Sequence, residues 1–397
     1  MSELFIRPRF HGDVHFHKHT DRAVGWLELF YDLVYVATLI QIGNYLSSNL
    51  DWTGFGRFLV LMFVTWWAWS GETAYQNRYY VDDVTHRGLV LLQMFGVAAM
   101  GLSVSDAFGS LSTQFALSFV IVRSLLAVMW LRSYRSHPES RSLARAYLIG
   151  FTGGITIWLG SIALDEEIRW IAWLVAIIFE IVFFGRRATM AETRAWQPDD
   201  HHLVERFGIF TIIVLGEAFV KVLDDAQGVS LGWDQIIFGV VLVTGLFALW
   251  WLHFSDSAGE LYDLESDVKP LAWVYGHLFL AVALVMFGVA AKKLFGETIS
   301  YPDDTVKEEY RTLLTGAVAL FLVGQASITF GVDDTLTTLS QKRRVVSYLI
   351  GAVVVTVLGL TITGLTAKGI TAAITGVLLV LVADAIVQTK QATPATP

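Results

Sequence analysis

Glu28 and Asp32 stand four residues apart in an otherwise apolar stretch, so a helix places both carboxylates on one face. Two carboxylates that close repel unless one is protonated or a cation sits between them. The pair can therefore relay protons or hold a cation; the structural alternative is an ion pair with a neighbouring helix. Arg206 and Glu217 are eleven residues apart, three helical turns, and so also share a face. Lys221 follows Glu217 by one turn, in the order that favours a helical ion pair. Glu28, Asp32, Arg206 and Glu217 are the candidate ion or substrate pathway.

Arg123 and Glu180 lie deep inside apolar stretches, where an ionisable side chain is costly and needs a partner. They are the expected internal counter-charges. A buried guanidinium needs an anion, and Asp32, Glu180 and Glu217 are the candidates for Arg123. His86, His253 and His277 fall near helix ends, where a hydrogen-bonded interface histidine is the simpler reading and proton handling the sharper one. Glu72, Asp256 and Asp384 sit near ends too, where hydration accounts for them. Near the N-terminus, His11, His15, His17 and His19 alternate beside Asp13 and Asp21. On an extended strand His15, His17 and His19 share one face and can hold a divalent metal through nitrogen and oxygen; a solvated tail is the plainer reading.

The elements that must position these groups are helices in lipid. Of 397 residues 54% are hydrophobic and 16% charged. Soluble domains carry about 25% charged residues, so this chain has too little polar surface to be wetted throughout. About 20 apolar residues cross a bilayer as a helix. Twelve stretches qualify: 24–46, 54–76, 86–105, 112–132, 143–163, 168–187, 203–222, 233–254, 271–293, 312–331, 345–365 and 369–388. The boundaries at 163–168 and 365–369 are tight enough for re-entrant hairpins. The first 23 residues lack the apolar core and cleavage site of a signal peptide, so the first span is expected to be kept.

Cysteine is absent, which removes disulfides, thiol catalysis and thiolate metal sites. A net charge of −8 argues against nucleic acid as a partner. No serine elbow, phosphate-cradling loop or zinc-protease motif occurs, so neither an enzyme, a cofactor nor an ATP-driven pump is expected.

Nineteen of the 28 lysines and arginines fall in the N-terminal segment, the even-numbered connections and the C-terminal segment. That bias predicts both termini in the cytoplasm of a plasma-membrane protein. Met94-Phe95-Gly96-Val97-Ala98-Ala99 recurs as Met286-Phe287-Gly288-Val289-Ala290-Ala291, six spans later. Trp66-Trp67 matches Trp250-Trp251, and Trp26-Leu27-Glu28-Leu29-Phe30 is echoed by Leu203-Val204-Glu205-Arg206-Phe207. The expected fold is an all-α integral membrane protein of about twelve helices, built as two parallel six-helix repeats. Its divisions are a His-rich cytoplasmic tail (1–23), repeat one (24–187), a cytoplasmic linker (188–202), repeat two (203–388) and a cytoplasmic C-terminal tail (389–397).

Trp26-Leu27-Glu28-Leu29-Phe30-Tyr31-Asp32-Leu33-Val34-Tyr35-Val36 resembles the W-L-E-L-F-F-D-L-V-F-V of the low temperature requirement A family of bacterial and archaeal membrane proteins. Glu205-Arg206-Phe207-Gly208-Ile209-Phe210-Thr211-Ile212-Ile213-Val214-Leu215-Gly216-Glu217 is similar to that family's E-R-F-x-L-F-T-I-I-x-L-G-E. The resemblance covers roughly residues 20–390 and singles out Glu28, Asp32, Glu205, Arg206 and Glu217. The family is named for growth in the cold, so the likeness implies cold adaptation more than a mechanism. The His-rich tail departs from its pattern.

The leading expectation is an ion-coupled secondary transporter of unidentified cargo that uses intramembrane carboxylates. A cation or proton channel is the second reading, and a non-transporting sensor or scaffold linked to low-temperature growth the third. The expected partners are the lipid bilayer and an ion or small solute, and a homo-oligomer is compatible with all three.

Overall fold

A computed structural model describes residues 9–10, 23–80, 82–224, 232–256, 266, 268–301, 304–332 and 340–392. The histidine run proposed for metal, including His15, His17 and His19, lies outside the described residues, as does the Asp256 side chain.

Between its turns and connections the described chain is helical, apart from a two-residue strand pairing and an isolated antiparallel bridge between Thr305 and Thr366. The helices are α1 (Trp26–Ser48), α2 (Trp52–Gln76), α3 (Val84–Ser103), α4 (Ser112–Ser136), α5 (Arg141–Ser161), α6 (Glu166–Phe184) and α7 (Arg187–Ala195), then α8 (Asp200–Asp224), α9 (Trp233–Asp256), α10 (Lys269–Ser300), α11 (Glu308–Gly331), α12 (Ser340–Thr361) and α13 (Ala367–Ala392). Strands β1 (Arg9–Phe10) and β2 (Tyr79–Tyr80) pair antiparallel. Each of the twelve apolar stretches coincides with one long helix. The nine-residue helix α7 was not anticipated: it forms at the start of the polar stretch expected to be a linker.

Among the described residues nine helices are long and apolar enough to cross a membrane: α1, α3 with its 3-10 extension to Asp106, α4, α5 and α9 to α13. The pair α6 and α7, bent by 61°, is a further candidate. Helices α2 and α8 carry Glu72, Gln76, Glu205, Arg206, Glu217 and Lys221, which dilute their apolar character. Exposed apolar side chains run along α6 at Ile168, Ile171, Val175, Ile178 and Val182, and along α12 at Val346, Ile350, Val353, Val357 and Leu360. That three-and-four spacing makes continuous greasy stripes, which a bilayer accommodates and water does not.

The chain packs as two units, Met1–Tyr45 with Asp51–Arg206, and Leu46–Leu50 with Phe207–Pro397. The boundary falls inside α8. In the first unit α3, α4, α5 and α6 pack in succession, α2 leans on α4, and α7 folds against α5 and α6. Asp51 starts α2 by accepting hydrogen bonds from the Thr53 and Gly54 amides, both at 2.9 Å. Those amides, Gly54 first, hold its carboxyl below the usual range. The core of this unit is aromatic. Trp158 stacks on Trp173 with centroids 5.1 Å apart, and Phe119 lies 4.2 Å from Trp158. Each such pair contributes about 0.5–1.5 kcal/mol beyond area burial.

In the second unit α10 packs on α11, α11 on α12, and α13 closes against α9 and α12. Lipid offers no hydrophobic drive for helix pairing, so close packing of small residues substitutes for it. A Cβ at Gly276 of α10 would stand 2.9 Å from the Gly324 carbonyl oxygen, and one at Gly331 of α11 2.8 Å from that of Lys269. The two backbones therefore touch, and no larger residue fits at these crossings.

The repeated hexapeptide occupies different surroundings in its two places. Phe95 is 73% exposed, whereas Phe287 is 3% exposed. The cause is position: α3 has an outward face, while α10 is enclosed by its neighbours. Trp66 is likewise buried, and Trp250 and Trp251 are partly exposed.

Candidate functional site

Within the first unit, α1, α2, α3 and the opening turns of α8 bring their polar side chains to one place. Each does so with a helical stripe. Tyr31, Asp32 and Tyr35 face inward from α1, as does Glu28 one turn before Asp32. Trp69, Glu72 and Gln76 follow i, i+3, i+7 on α2, and His202 and Arg206 follow i, i+4 on α8. Gln93 comes from α3. All of them are buried.

The Arg206 guanidinium holds the centre. Its Nη2 donates to Asp32 Oδ1 at 2.6 Å, and its Nη1 donates to Gln76 Oε1 at 3.3 Å and stands 3.8 Å from Glu28 Oε1. The cation between the two α1 carboxylates is thus a side chain of the same protein. Trp69 Nε1 donates a second bond to Asp32 Oδ1 at 2.7 Å. Asp32 Oδ2 is buried with no hydrogen-bond partner among the described residues, and so is Arg206 Nε.

His202 bridges two oxygens. Its Nδ1 lies 2.8 Å from Asn77 Oδ1 and its Nε2 3.1 Å from Glu28 Oε2. Asn77 donates its amide to the Thr73 carbonyl at 2.7 Å, so Oδ1 is the atom left facing the ring. Glu28 Oε2 also accepts the Gly25 amide at 2.7 Å. An imidazolium, or a proton on Glu28, satisfies both ring contacts.

Glu72 is 0% exposed. Its Oε1 accepts from Gln76 Nε2 at 2.7 Å and its Oε2 from Gln93 Nε2 at 3.2 Å. No cationic side chain is within ion-pair distance of it among the described residues. Gln93 Oε1 accepts from Tyr31 at 2.7 Å, and the Tyr31 and Tyr35 hydroxyls are 3.2 Å apart. A continuous hydrogen-bonded chain therefore runs from Tyr35 through Glu72 and Arg206 to Asp32. With Glu28, Asp32 and Glu72 ionised, Arg206 and a charged His202 still leave one negative charge over.

A second buried ion pair lies elsewhere in this unit. Arg123 of α4 meets Glu180 of α6, which also accepts from Trp67 Nε1 at 2.5 Å. The guanidinium rests 4.5 Å from the centroid of the Phe151 ring. Of the three acids weighed for Arg123, Glu180 is the one it contacts. A third pair, Arg132 with Asp83, ties α4 to the residue that caps α3 through the His86 amide. The His86 ring stacks on Tyr75.

In the second unit Glu217 pairs with Lys221 at 3.6 Å. His253 and His277 come together with ring centroids 5.6 Å apart. Each Nδ1 faces an oxygen, Gln325 Oε1 at 3.1 Å and the Trp273 carbonyl at 2.8 Å, so each carries its proton there. Asp384 is held by Arg343 at 3.0 Å and by Ser347 at 2.9 Å. Among the described residues no three acidic or histidine side chains converge on a point that suits a metal.

Sequence reasoning missed Glu72, Trp69, Gln93, His202 and Asn77. Glu72 was assigned to a hydrated helix end; in fact it is enclosed. The signal was the Trp69, Glu72, Gln76 stripe, which puts a carboxylate and an amide on the same face of α2.

Glu28, Asp32 and Arg206 belong to the two segments that suggested a family, and here those segments meet through an ion pair. The sequence profile described as "Bacterial low temperature requirement A protein (LtrA)" matches residues 23–383. A Rhizobium meliloti (strain 1021) protein named "Uncharacterized protein RA0937" is 25% identical over 335 residues, 77% of each chain. With its long apolar helices and a match that spans nearly the whole chain, this multi-pass membrane protein belongs to the low temperature requirement A family.

Proposed function

We propose that this protein is an ion-coupled secondary transporter of the cell membrane, and that the carboxylates of the α1, α2 and α8 cluster carry the coupling charge. The observation behind this reading is the leftover negative charge. A buried ion without a partner costs several kcal/mol, so a proton or cation must neutralise it for at least part of any cycle. Closure of the cluster by direct side-chain contacts favours occlusion over the continuous wet path of a channel. The proposal includes a duplicated six-helix unit, 24–187 and 203–388, supported by the repeated hexapeptide.

Flux into liposomes reconstituted with the purified protein tests it. Saturable, gradient-driven uptake is expected, and Asp32→Asn should abolish it. Asparagine keeps Oδ1 as an acceptor for Trp69 and Arg206, so expression should fall little. Glu217→Gln belongs in the same assay, because Glu217 is the acid of the second family segment. Large uncoupled flux would make the protein a channel, and no flux across a broad panel of ions and solutes would make it a scaffold or sensor.

The proposal also places both termini in the cytoplasm, from the lysine and arginine bias. A reporter active only in the cytoplasm should give signal when fused after Arg141 and none after Asp165. The reverse pattern would invert the orientation.

A further inference from the structure

We propose that Glu72 is the proton-binding site of the cluster, that the proton sits on Oε2, and that Gln93, Tyr31 and Tyr35 form a reversible hydrogen-bond relay that accommodates it. The role in transport rests on the coupling reading above; the occupancy of Glu72 by a proton does not.

Three observations lead here. Of the three carboxylates, Glu28 has Arg206 and His202, and Asp32 has Arg206 and Trp69. Glu72 has only two neutral amides. The leftover charge therefore localises on Glu72, where an ionised carboxylate is least compensated. The titratable and polar groups around it are Gln76 and Tyr75 of its own helix, Tyr31, Tyr35 and Glu28 of α1, Gln93 of α3 and Arg206 of α8, and Met129 of α4 lies against Gln93.

The second observation selects a proton over a metal ion. Arg206 only donates, and it donates to Gln76 Oε1, so the Gln76 NH2 must point at Glu72 Oε1. Tyr31 donates to Gln93 Oε1, which turns that NH2 toward Glu72 Oε2. Both carboxylate oxygens thus meet N–H donors. A metal ion needs several oxygen lone pairs around it, and both amides turn N–H groups rather than oxygens toward Glu72.

The third observation is that one side of the network can reverse. When a proton adds to Oε2, that oxygen becomes a donor. Gln93 then flips its amide so that Oε1 accepts from Glu72 and its NH2 donates to the Tyr31 oxygen. Tyr31 in turn donates to Tyr35, a contact in which either hydroxyl can be the donor. The contacts that link Glu72, Gln93, Tyr31 and Tyr35 are kept in both states, and the flip gives up only the 3.4 Å bond from Gln93 Nε2 to Met129 Sδ. The Gln76 side cannot reverse, because its carbonyl is locked by the guanidinium. The bond formed is O–H on Glu72, the bond broken is an O–H of a hydronium ion from the aqueous phase, and the cluster loses one negative charge.

Infrared spectroscopy of the purified full-length protein tests this directly. A neutral carboxylic acid shows a carbonyl stretching band well separated from that of a carboxylate. Wild type should show such a band near neutral pH, and Glu72→Gln should lose it. Tyr31→Phe and Gln93→Leu should shift the band without removing it, because they change only what the acid bonds to. These two variants also decide the matter if Glu72→Gln fails to fold. A neutral-acid band that is absent, that survives in Glu72→Gln, or that ignores both relay variants would overturn the proposal. Liposome flux separates the two readings. The band without any flux removes coupling and leaves the proton site. Gradient-driven flux without the band keeps coupling and moves it away from Glu72.

Discussion

Arg206→Ala should lower stability in detergent by about 3–5 kcal/mol, the cost typical of removing one partner from a buried ion pair. The guanidinium donates to Asp32 and Gln76 and is the counter-charge 3.8 Å from Glu28, and nothing in the described cluster can replace it at all three points. Without it two buried carboxylates lie one helical turn apart with no cation between them. Lysine at 206 should recover only part of the loss, because a point charge can reach one acceptor but not a fork of three. The double variant Arg206→Met with Asp32→Leu should be more stable than Arg206→Ala, since it removes both charges of the closest pair; Trp69 then loses its acceptor, which limits the recovery. Acidifying the buffer should also stabilise Arg206→Ala relative to wild type, by protonating the stranded carboxylates. Thermal or chemical denaturation of the four proteins in one detergent measures all of this. An Arg206→Ala protein as stable as wild type would mean that the cluster is hydrated and not closed. If the double variant folds well yet carries no flux, the pair is needed for function as well as for the fold.

The α1 acids were legible in the sequence because a helix turns i, i+4 spacing into adjacency without any tertiary knowledge. Their partner was not. Arg206 lies 174 residues from Asp32, and helical periodicity alone pointed it along α8 toward Glu217. What joined them was the family resemblance, which singled out both segments but gave no contact between them. Arg123 and Glu180 were easier, because buried charges in apolar helices are few and each must find another. Glu72 was hidden for a different reason. The stretch 54–76 ends where α2 ends, but a residue near the end of an apolar stretch looks hydrated when its neighbours are unknown, and here the last turn of α2 is enclosed with Glu72 inside it. The repeats illustrate the opposite limit. Identical letters at Phe95 and Phe287 carry no information about which faces are covered, and the two residues differ fully in exposure.

Arg123→Ala should cost about as much as Arg206→Ala, about 3–5 kcal/mol, but without a matching defect in coupling. The pair with Glu180 joins α4 to α6, and Trp67 adds α2 through its indole N–H. None of these side chains belongs to the Asp32 and Glu72 network, so whatever protein folds should still show gradient-driven flux. The fold makes room for the pair with glycine. A Cβ at Gly71 of α2 would lie 2.5 Å from Arg123 Nη1, and one at Gly154 of α5 would collide with Glu180 Oε1. Both atoms end flexible side chains, but each is pinned by the other, so neither can move without stretching the ion pair. Gly154→Ala should therefore destabilise the wild type and do much less in an Arg123→Ala, Glu180→Ala background, where the clash has gone. Lysine at 123 should rescue in part: it keeps the charge and the contact with the Phe151 face but loses the planar fork. A double-mutant cycle between Arg123 and Gly154, read by detergent denaturation, isolates the coupling. Additive effects of the two substitutions would show that Gly154 is not there for the carboxylate. Loss of flux in an Arg123→Ala protein of normal stability would place this pair in the transport cycle instead.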